Sequence, residues 1–187
     1  MKTLIVSGVM LAAFAVSACS AQLEGDRASS NTGLGRSTEY APVIDFDAKR
    51  DAVADIQAAI SEAQRSHKRI ILYVGGSWCM FCGQMHELFT SNPDLLKLRN
   101  DGFITVAVAY GYGNKDQDRA VEAYGRVLGI PHWFVLDSDG AVLHSQHLVD
   151  LRKDGQYDPG KMRDFLTHWS KEDVRADATP AAGSTRE

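Results

Sequence analysis

Gly75-Gly76-Ser77-Trp78-Cys79-Met80-Phe81-Cys82 is the stretch on which the fold of this chain turns. The run before it, Ile70-Ile71-Leu72-Tyr73-Val74, is apolar throughout and predicts a buried strand. A glycine pair ends that run. Beyond the cysteines, Met85, Leu88 and Phe89 recur at helical spacing. The two cysteines therefore fall where a strand gives way to a helix, with Cys79 near the helix start. The first amides of a helix lack intrahelical partners, and the helix dipole is positive there. A thiolate at Cys79 is stabilised in such a place, so its pKa is expected below the free value of about 8.5. Cys82 follows three residues on, close enough to form a disulfide with Cys79. The pair can then cycle between dithiol and disulfide.

Other chemistries use similar spacings. A static disulfide would close a very short loop and stabilise little. A zinc site needs a second pair of ligands, and no second Cys-x-x-Cys exists. Haem attachment needs a histidine directly after the second cysteine, where Gly83 stands. The strand–helix setting favours the redox reading.

The chain has 187 residues, of which 44% are hydrophobic, and a formal net charge of −4. With both ends set aside, that is enough for one ordinary domain with a packed core. No basic patch with interleaved aromatics appears, so no nucleic-acid partner is expected. Paired-carboxylate, phosphate-loop and Ser-His-Asp patterns are absent from the sequence, and no cofactor is expected. The three cysteines make an odd count, and the N-terminus accounts for the third.

Lys2 precedes an apolar stretch, Leu4 to Val16, too short to span a bilayer comfortably. It reads as a secretory signal. It ends in Val16-Ser17-Ala18-Cys19, which resembles the lipobox of bacterial lipoproteins, whose cysteine is lipidated and becomes the mature N-terminus. Ordinary cleavage after Ser20 or Ala21 is the alternative. The lipoprotein reading makes residues 1–18 a signal peptide and Cys19 the lipidation site, leaving Cys79 and Cys82 as one free pair. Ser20, in place of an aspartate, favours the outer membrane. The expected location is the bacterial cell envelope, lipid-anchored and facing the periplasm, an oxidising compartment. Residues 19–43, rich in Gly, Ser, Thr and charge, read as a flexible linker. About twenty such residues span roughly 25 Å root-mean-square. Residues 171–187 are polar and are expected to be a disordered tail.

Between these ends the pattern repeatedly switches period. Val53, Ile56, Ile60 and Ala63 predict an amphipathic helix over Asp47 to His67, capped by Asp45 or Asp47. Arg69 to Val74 is a strand apolar on both faces. Asn92-Pro93-Asp94 opens a short helix to about Arg99, and Asn100-Asp101-Gly102 reads as a turn. Phe103 to Tyr110 is a second strand. Val121, Tyr124 and Leu128 predict a helix over Asp118 to Leu128, with Gly129 as its C-terminal cap. A strand follows from Ile130 to Leu136, with proline at its opening. Ser138-Asp139-Gly140 turns into a partner strand, Ala141 to Gln146. After a polar loop, Met162, Phe165, Leu166 and Trp169 mark a last amphipathic helix.

Strand–helix–strand, then a hairpin and a helix, with two cysteines at the first strand–helix junction, resembles the thioredoxin family. Trp78-Cys79-x-x-Cys82 looks like its active site, and Gly129-Ile130-Pro131 looks like the loop carrying its cis-proline. Phe134-Val135-Leu136-Asp137-x-Asp139-Gly140 resembles its hairpin. The run Trp-Cys-x-x-Cys-x-x-Met, then Phe89 and Asn92-Pro93-Asp94, is similar to thioredoxin-like domains such as the periplasmic C-terminal domain of DsbD. The resemblance covers about residues 44–170. It implies an α/β thioredoxin fold: a central mixed sheet of about four strands flanked by helices.

It also implies roles. Cys79 would be the exposed catalytic nucleophile, and Cys82 the buried resolving thiol, the two forming the redox disulfide. Pro131, if cis, would leave Ile130's backbone free to pair with an extended substrate. As a plain strand starter it would be trans. Trp78 would cover the site, or else serve as an ordinary core aromatic. The expected activity is protein-disulfide oxidoreductase, acting on protein or small-molecule disulfides. A membrane electron donor of the DsbD type is compatible with it, and a monomer is expected.

Three departures qualify the resemblance. Thioredoxin carries a buried Asp where this chain has Tyr73, so water or another group must handle the resolving thiol's proton. The dipeptide between the cysteines is Met80-Phe81, unlike the Gly-Pro of thioredoxin or the Pro-His of DsbA. Gly83 stands where a basic residue often follows the second cysteine. These features suggest a potential nearer thioredoxin, about −270 mV, than DsbA, about −120 mV. His86 and His132, with Met85 and Cys82, suggest the other function class: a copper- or zinc-binding or chaperone-like module on the same fold. That reading requires the ligands to converge, and no metal site is assigned.

Overall fold

The computed structural model describes residues 40–111 and 113–170. The expected signal stretch, Cys19, most of the expected 19–43 linker and the expected tail from Lys171 lie outside the described residues.

β1 (Arg69–Gly75) is the centre of the domain, with all seven of its residues buried. β2 (Phe103–Ala109) pairs with it in parallel, from Arg69 opposite Phe103 to Gly75 opposite Ala109. On its other side β3 (His132–Leu136) runs antiparallel, with Val74 opposite His132. β4 (Val142–His147) completes a mixed four-stranded sheet of order β2-β1-β3-β4. At the outer edge of β2, Val43 forms a parallel bridge with Val106, and its carbonyl accepts from Ala107 N at 2.7 Å. The entering chain is thus tied to the middle of β2, where Val106 lies opposite Leu72.

Strand side chains alternate between faces. Ile71, Tyr73, Phe103, Ala107, Trp133 and Val135 pack with α2 (Met80–Ser91), α3 (Pro93–Gly102) and α5 (Pro159–Trp169). Ile70, Leu72, Val74, Val106, Phe134 and Leu136 pack with α1 (Ala52–Ser66) and α4 (Lys115–Glu122). Covering both faces accounts for the unbroken apolar runs of β1 and β2. Each fully buried Ile, Leu or Phe here contributes about 1.5–3 kcal/mol. The expected α/β architecture, four mixed strands flanked by helices, is the one observed.

Several boundaries differ from the expectation. α1 begins at Ala52, because Asp51 caps it by accepting from Ala54 N at 3.1 Å. Asp47 instead accepts from Lys49 N at 2.8 Å in the turn before it. Val53 is exposed, and the core stripe is Ala52, Ile56, Ala59 and Ala63. α4 spans Lys115–Glu122 because Asn114 caps it, accepting from Asp116 N and Gln117 N, and Gly125 at φ 141° breaks its continuation. Leu128 is consequently exposed, and Gly129 caps no helix. Asn100 to Gly102 form the last turn of α3. The polar loop before α5 holds a 3₁₀ turn, Leu148–Leu151, and a two-strand ribbon of β5 (Arg152–Lys153) and β6 (Gln156–Tyr157). Among the described residues, no helix is long and apolar enough to cross a membrane.

Candidate active site

Cys79 is the N-cap of α2, with extended backbone at φ −82° and ψ 108°. Its N–H donates to Gly76 O at 3.0 Å, which folds the glycine loop into a tight turn. Its carbonyl accepts from Cys82 N at 3.0 Å and Gly83 N at 3.2 Å. Its Sγ accepts from Cys82 N at 3.1 Å. A cap oxygen normally takes one of the helix's orphan amides; here a sulfur does so, where the dipole favours negative charge. Cys79 and Cys82 are joined as a disulfide, with Cα atoms 5.2 Å apart, an ordinary separation for such a bond.

The expected contrast between an exposed Cys79 and a buried Cys82 is not found in this oxidised state. Cys79 is 7% exposed and Cys82 5%. The disulfide turns both sulfurs inward over the core formed by Tyr73, Met85 and Trp133. What the site presents to solvent is Trp78, 56% exposed, and Met80, 68% exposed. Trp78 is therefore not a core aromatic. Its indole lies against Gly76, where an added Cβ would meet Nε1 at 2.5 Å.

The Ile130–Pro131 peptide bond is cis. Pro131 is buried and directly precedes β3, whose His132 is opposite Val74. The proline thus stands at the end of the sheet where β1 passes into the cysteine loop. Its carbonyl accepts from Leu148 N at 3.4 Å. Ile130 is half-buried and packs against both core clusters.

Two neighbours of the site escaped the sequence reading. Phe46, from the segment before α1, lies over Gly75 and edge-on to Tyr73, with ring centroids 4.8 Å apart. Arg152, from β5, places its guanidinium 4.2 Å from the ring centre of Phe81, between the two cysteines. A cation is thus supplied from a distant strand at a site whose local sequence has none. No local signal marks either residue; both arrive by tertiary packing.

Behind the cysteines is a cleft of about 420 Å³, lined by Phe46, Tyr73, Cys79, Cys82, Phe89 and Arg99 among others. Burial pushes the Tyr73 phenol above its usual range, and its hydroxyl has no hydrogen-bond partner among the described residues. The Thr105 hydroxyl is buried without one as well. An unpartnered buried hydroxyl costs on the order of 1–3 kcal/mol.

Of the residues that suggested a metal, Cys82, Met85 and His86 line the cleft, whereas His132 is fully buried, with Nε2 2.8 Å from Ser145 Oγ. Burial, then the nearby His147 and His144, lowers its pKa to about 4. Among the described residues, no group of three or more His, Cys, Asp or Glu is placed to hold a metal ion.

An oxidised Cys-x-x-Cys opening a helix, beside a cis-proline at the head of an antiparallel strand, defines a thioredoxin-fold domain with a redox-type cysteine pair. Residues 51–138 match the model of a thioredoxin-like family, and the domain is thioredoxin-like. A disulphide isomerase from Xylella fastidiosa Temecula1 is similar at a TM-score of 0.57 and 25% identity, over 67% of this chain and 96% of that one. The oxidised C-terminal domain of DsbD from Neisseria meningitidis is similar at a TM-score of 0.49 and 17% identity, over 67% and 96% respectively. Among curated proteins, none matches by sequence.

Proposed function

We propose that this protein is a thiol-disulfide oxidoreductase that reduces or exchanges protein disulfides through Cys79 and Cys82. The observation that carries the reading is the Cys79 sulfur at the cap of α2, accepting the Cys82 amide at 3.1 Å while bonded to Cys82. In the reduced protein the Cys79 thiolate attacks one sulfur of a substrate disulfide. A mixed disulfide forms, and the substrate's other sulfur leaves as a thiolate. Cys82 then gives up its proton and attacks Cys79 Sγ. The Cys79–Cys82 bond closes, and the second substrate sulfur is released. The substrate gains two electrons and two protons, and a separate dithiol donor restores the protein. The same steps reversed oxidise a substrate.

Substrate contact is assigned to Trp78, Ile130 and Pro131. Ile130 makes no backbone hydrogen bond to another described residue, so its N–H and C=O are open to an extended segment. Such pairing gives affinity without demanding one sequence. The kinship to a disulphide isomerase supports a protein substrate. The proposal extends to the ends of the chain: residues 1–18 as signal, lipid on Cys19, linker 19–43 with its last residues already docked on the sheet through Tyr40 and Val43, domain 44–170 and tail 171–187. The domain would then work as a monomer in the periplasm, held at the outer membrane and supplied by a membrane donor of the DsbD type.

Insulin reduction by the wild type and Cys79→Ser tests the activity. Turnover by the wild type alone is expected. Equal turnover by both, or stoichiometric metal binding without thiol exchange, would transfer the proposal to a binding module.

A further inference from the structure

We propose that the cleft behind Cys82 binds a small organic anion: a compact apolar molecule bearing one carboxylate. This goes beyond the thiol-exchange reading and does not rest on it. The cleft's volume, about 420 Å³, lies within the range of small-molecule sites. Its walls include Phe46, Met85, Phe89 and Leu96, which suit an aromatic or short aliphatic body.

The polar side chains on its walls that are withdrawn from solvent, Tyr73, Thr105 and Arg99, can all donate. Tyr73 and Thr105 are 8% and 5% exposed, and both hydroxyls lack partners among the described residues. Buried hydroxyls are ordinarily satisfied, so two orphans in one cleft wall point to an acceptor that belongs there. The third donor is Arg99, half-buried, its guanidinium 4.5 Å from the ring centre of Phe89. Nε and Nη2 of Arg99 donate to Asn100 Oδ1 at 3.2 and 3.1 Å, and no carboxylate pairs with it among the described residues. Burial lowers its pKa; the Tyr73 phenol opposes the shift, and no carboxylate does. A guanidinium without a counter-ion beside two idle hydroxyls is complementary to a carboxylate. Asp45 is the acid among the lining residues, and it is exposed to solvent.

The test uses 1-naphthylacetate, titrated by calorimetry and by amide NMR shifts into the oxidised protein and into a Cys79→Ser/Cys82→Ser double variant. Saturable one-to-one binding to both is expected, with shifts at Tyr73, Phe89 and Thr105. The neutral 1-naphthylacetamide should bind at least ten-fold more weakly. Arg99→Gln should abolish that preference, and Thr105→Val, checked for fold by circular dichroism, should weaken binding several-fold. No saturation at millimolar ligand, equal binding of acid and amide, or shifts confined to Trp78 and Met80 would overturn the proposal. Because the double variant has no thiol chemistry, failure of the oxidoreductase reading leaves this result standing.

Discussion

Gly75 sits so close to Cys82 that a Cβ on it would lie 2.8 Å from Cys82 Sγ and 2.5 Å from Phe46 Cζ. The last residue of β1 must therefore be glycine for the sulfur and the phenyl ring to share the space above it. Gly75→Ala is expected to cost about 1–3 kcal/mol, the usual range for overpacking a filled site. It should also slow disulfide exchange, since the sulfur must shift. Urea denaturation and insulin turnover check both. Unchanged stability would mean that Phe46 swings aside freely.

Phe46→Ala removes the ring from the same place. Loss of its edge contact with Tyr73 and of its burial should cost about 2 kcal/mol. The reduced variant should lose the selectivity of alkylation for Cys79, because Cys82 is uncovered. Peptide mapping after a brief iodoacetamide pulse reads the ratio. A wild-type ratio would show that Cys82 is shielded by other groups.

The cap position of Cys79 predicts its reactivity. In the reduced protein Cys79 should be alkylated at pH 7 severalfold faster than a free cysteine, because helix-start amides favour the thiolate. Cys82→Ala should then accumulate mixed disulfides in cells, since the resolving thiol is gone. Mass spectrometry of the trapped species would identify the substrates. A Cys79 rate equal to that of free cysteine, together with an empty trap, would contradict the proposed mechanism.

His132 makes the fold acid-sensitive. Burial and the neighbouring His147 and His144 lower its pKa from 6.5 to about 4. The unfolded chain therefore binds this proton more tightly than the folded one. Stability attributable to the neutral ring is intact above pH 6.5 and falls as the pH drops from 6.5 towards 4, by about 2–3 kcal/mol in total. Replacement by His132→Gln should remove that part of the pH dependence, whatever it does to stability at pH 7. Parallel curves for the two proteins between pH 7 and pH 4 would show that His132 titrates normally.

Asp51→Ala should destabilise by about 1 kcal/mol, because it removes the cap on Ala54 N. Asp47→Ala should cost less, since that carboxylate closes only the exposed Lys49 turn. Thermal denaturation of both variants gives the order. The reverse order would move the start of α1 upstream.

Much of the site was legible in the sequence because it is built from neighbours. The apolar run of β1, the glycine pair and Cys-x-x-Cys are local, and the strand-to-helix change of period places Cys79 at a helix start whatever the rest does. Continuous apolar strands likewise announced a sheet covered on both faces. Local pattern misjudged Val53 and Leu128, which fit a helical period but face solvent. It could not see that Asn114 and Gly125 bound α4 more tightly than that period suggested.

The sequence by itself determined which two cysteines pair, and at which helix end. Only the tertiary structure decided their surroundings. Phe46 reaches Gly75 and Tyr73 by crossing from the sheet edge, and Arg152 reaches Phe81 from a ribbon seventy residues further along the chain. It also buried both sulfurs and set Tyr73, Thr105 and Arg99 into one cleft. The physical reason is that hydrophobic period and capping act within a few residues of the backbone. Cover, charge and cavity arise where separate elements meet, and no local pattern encodes that meeting.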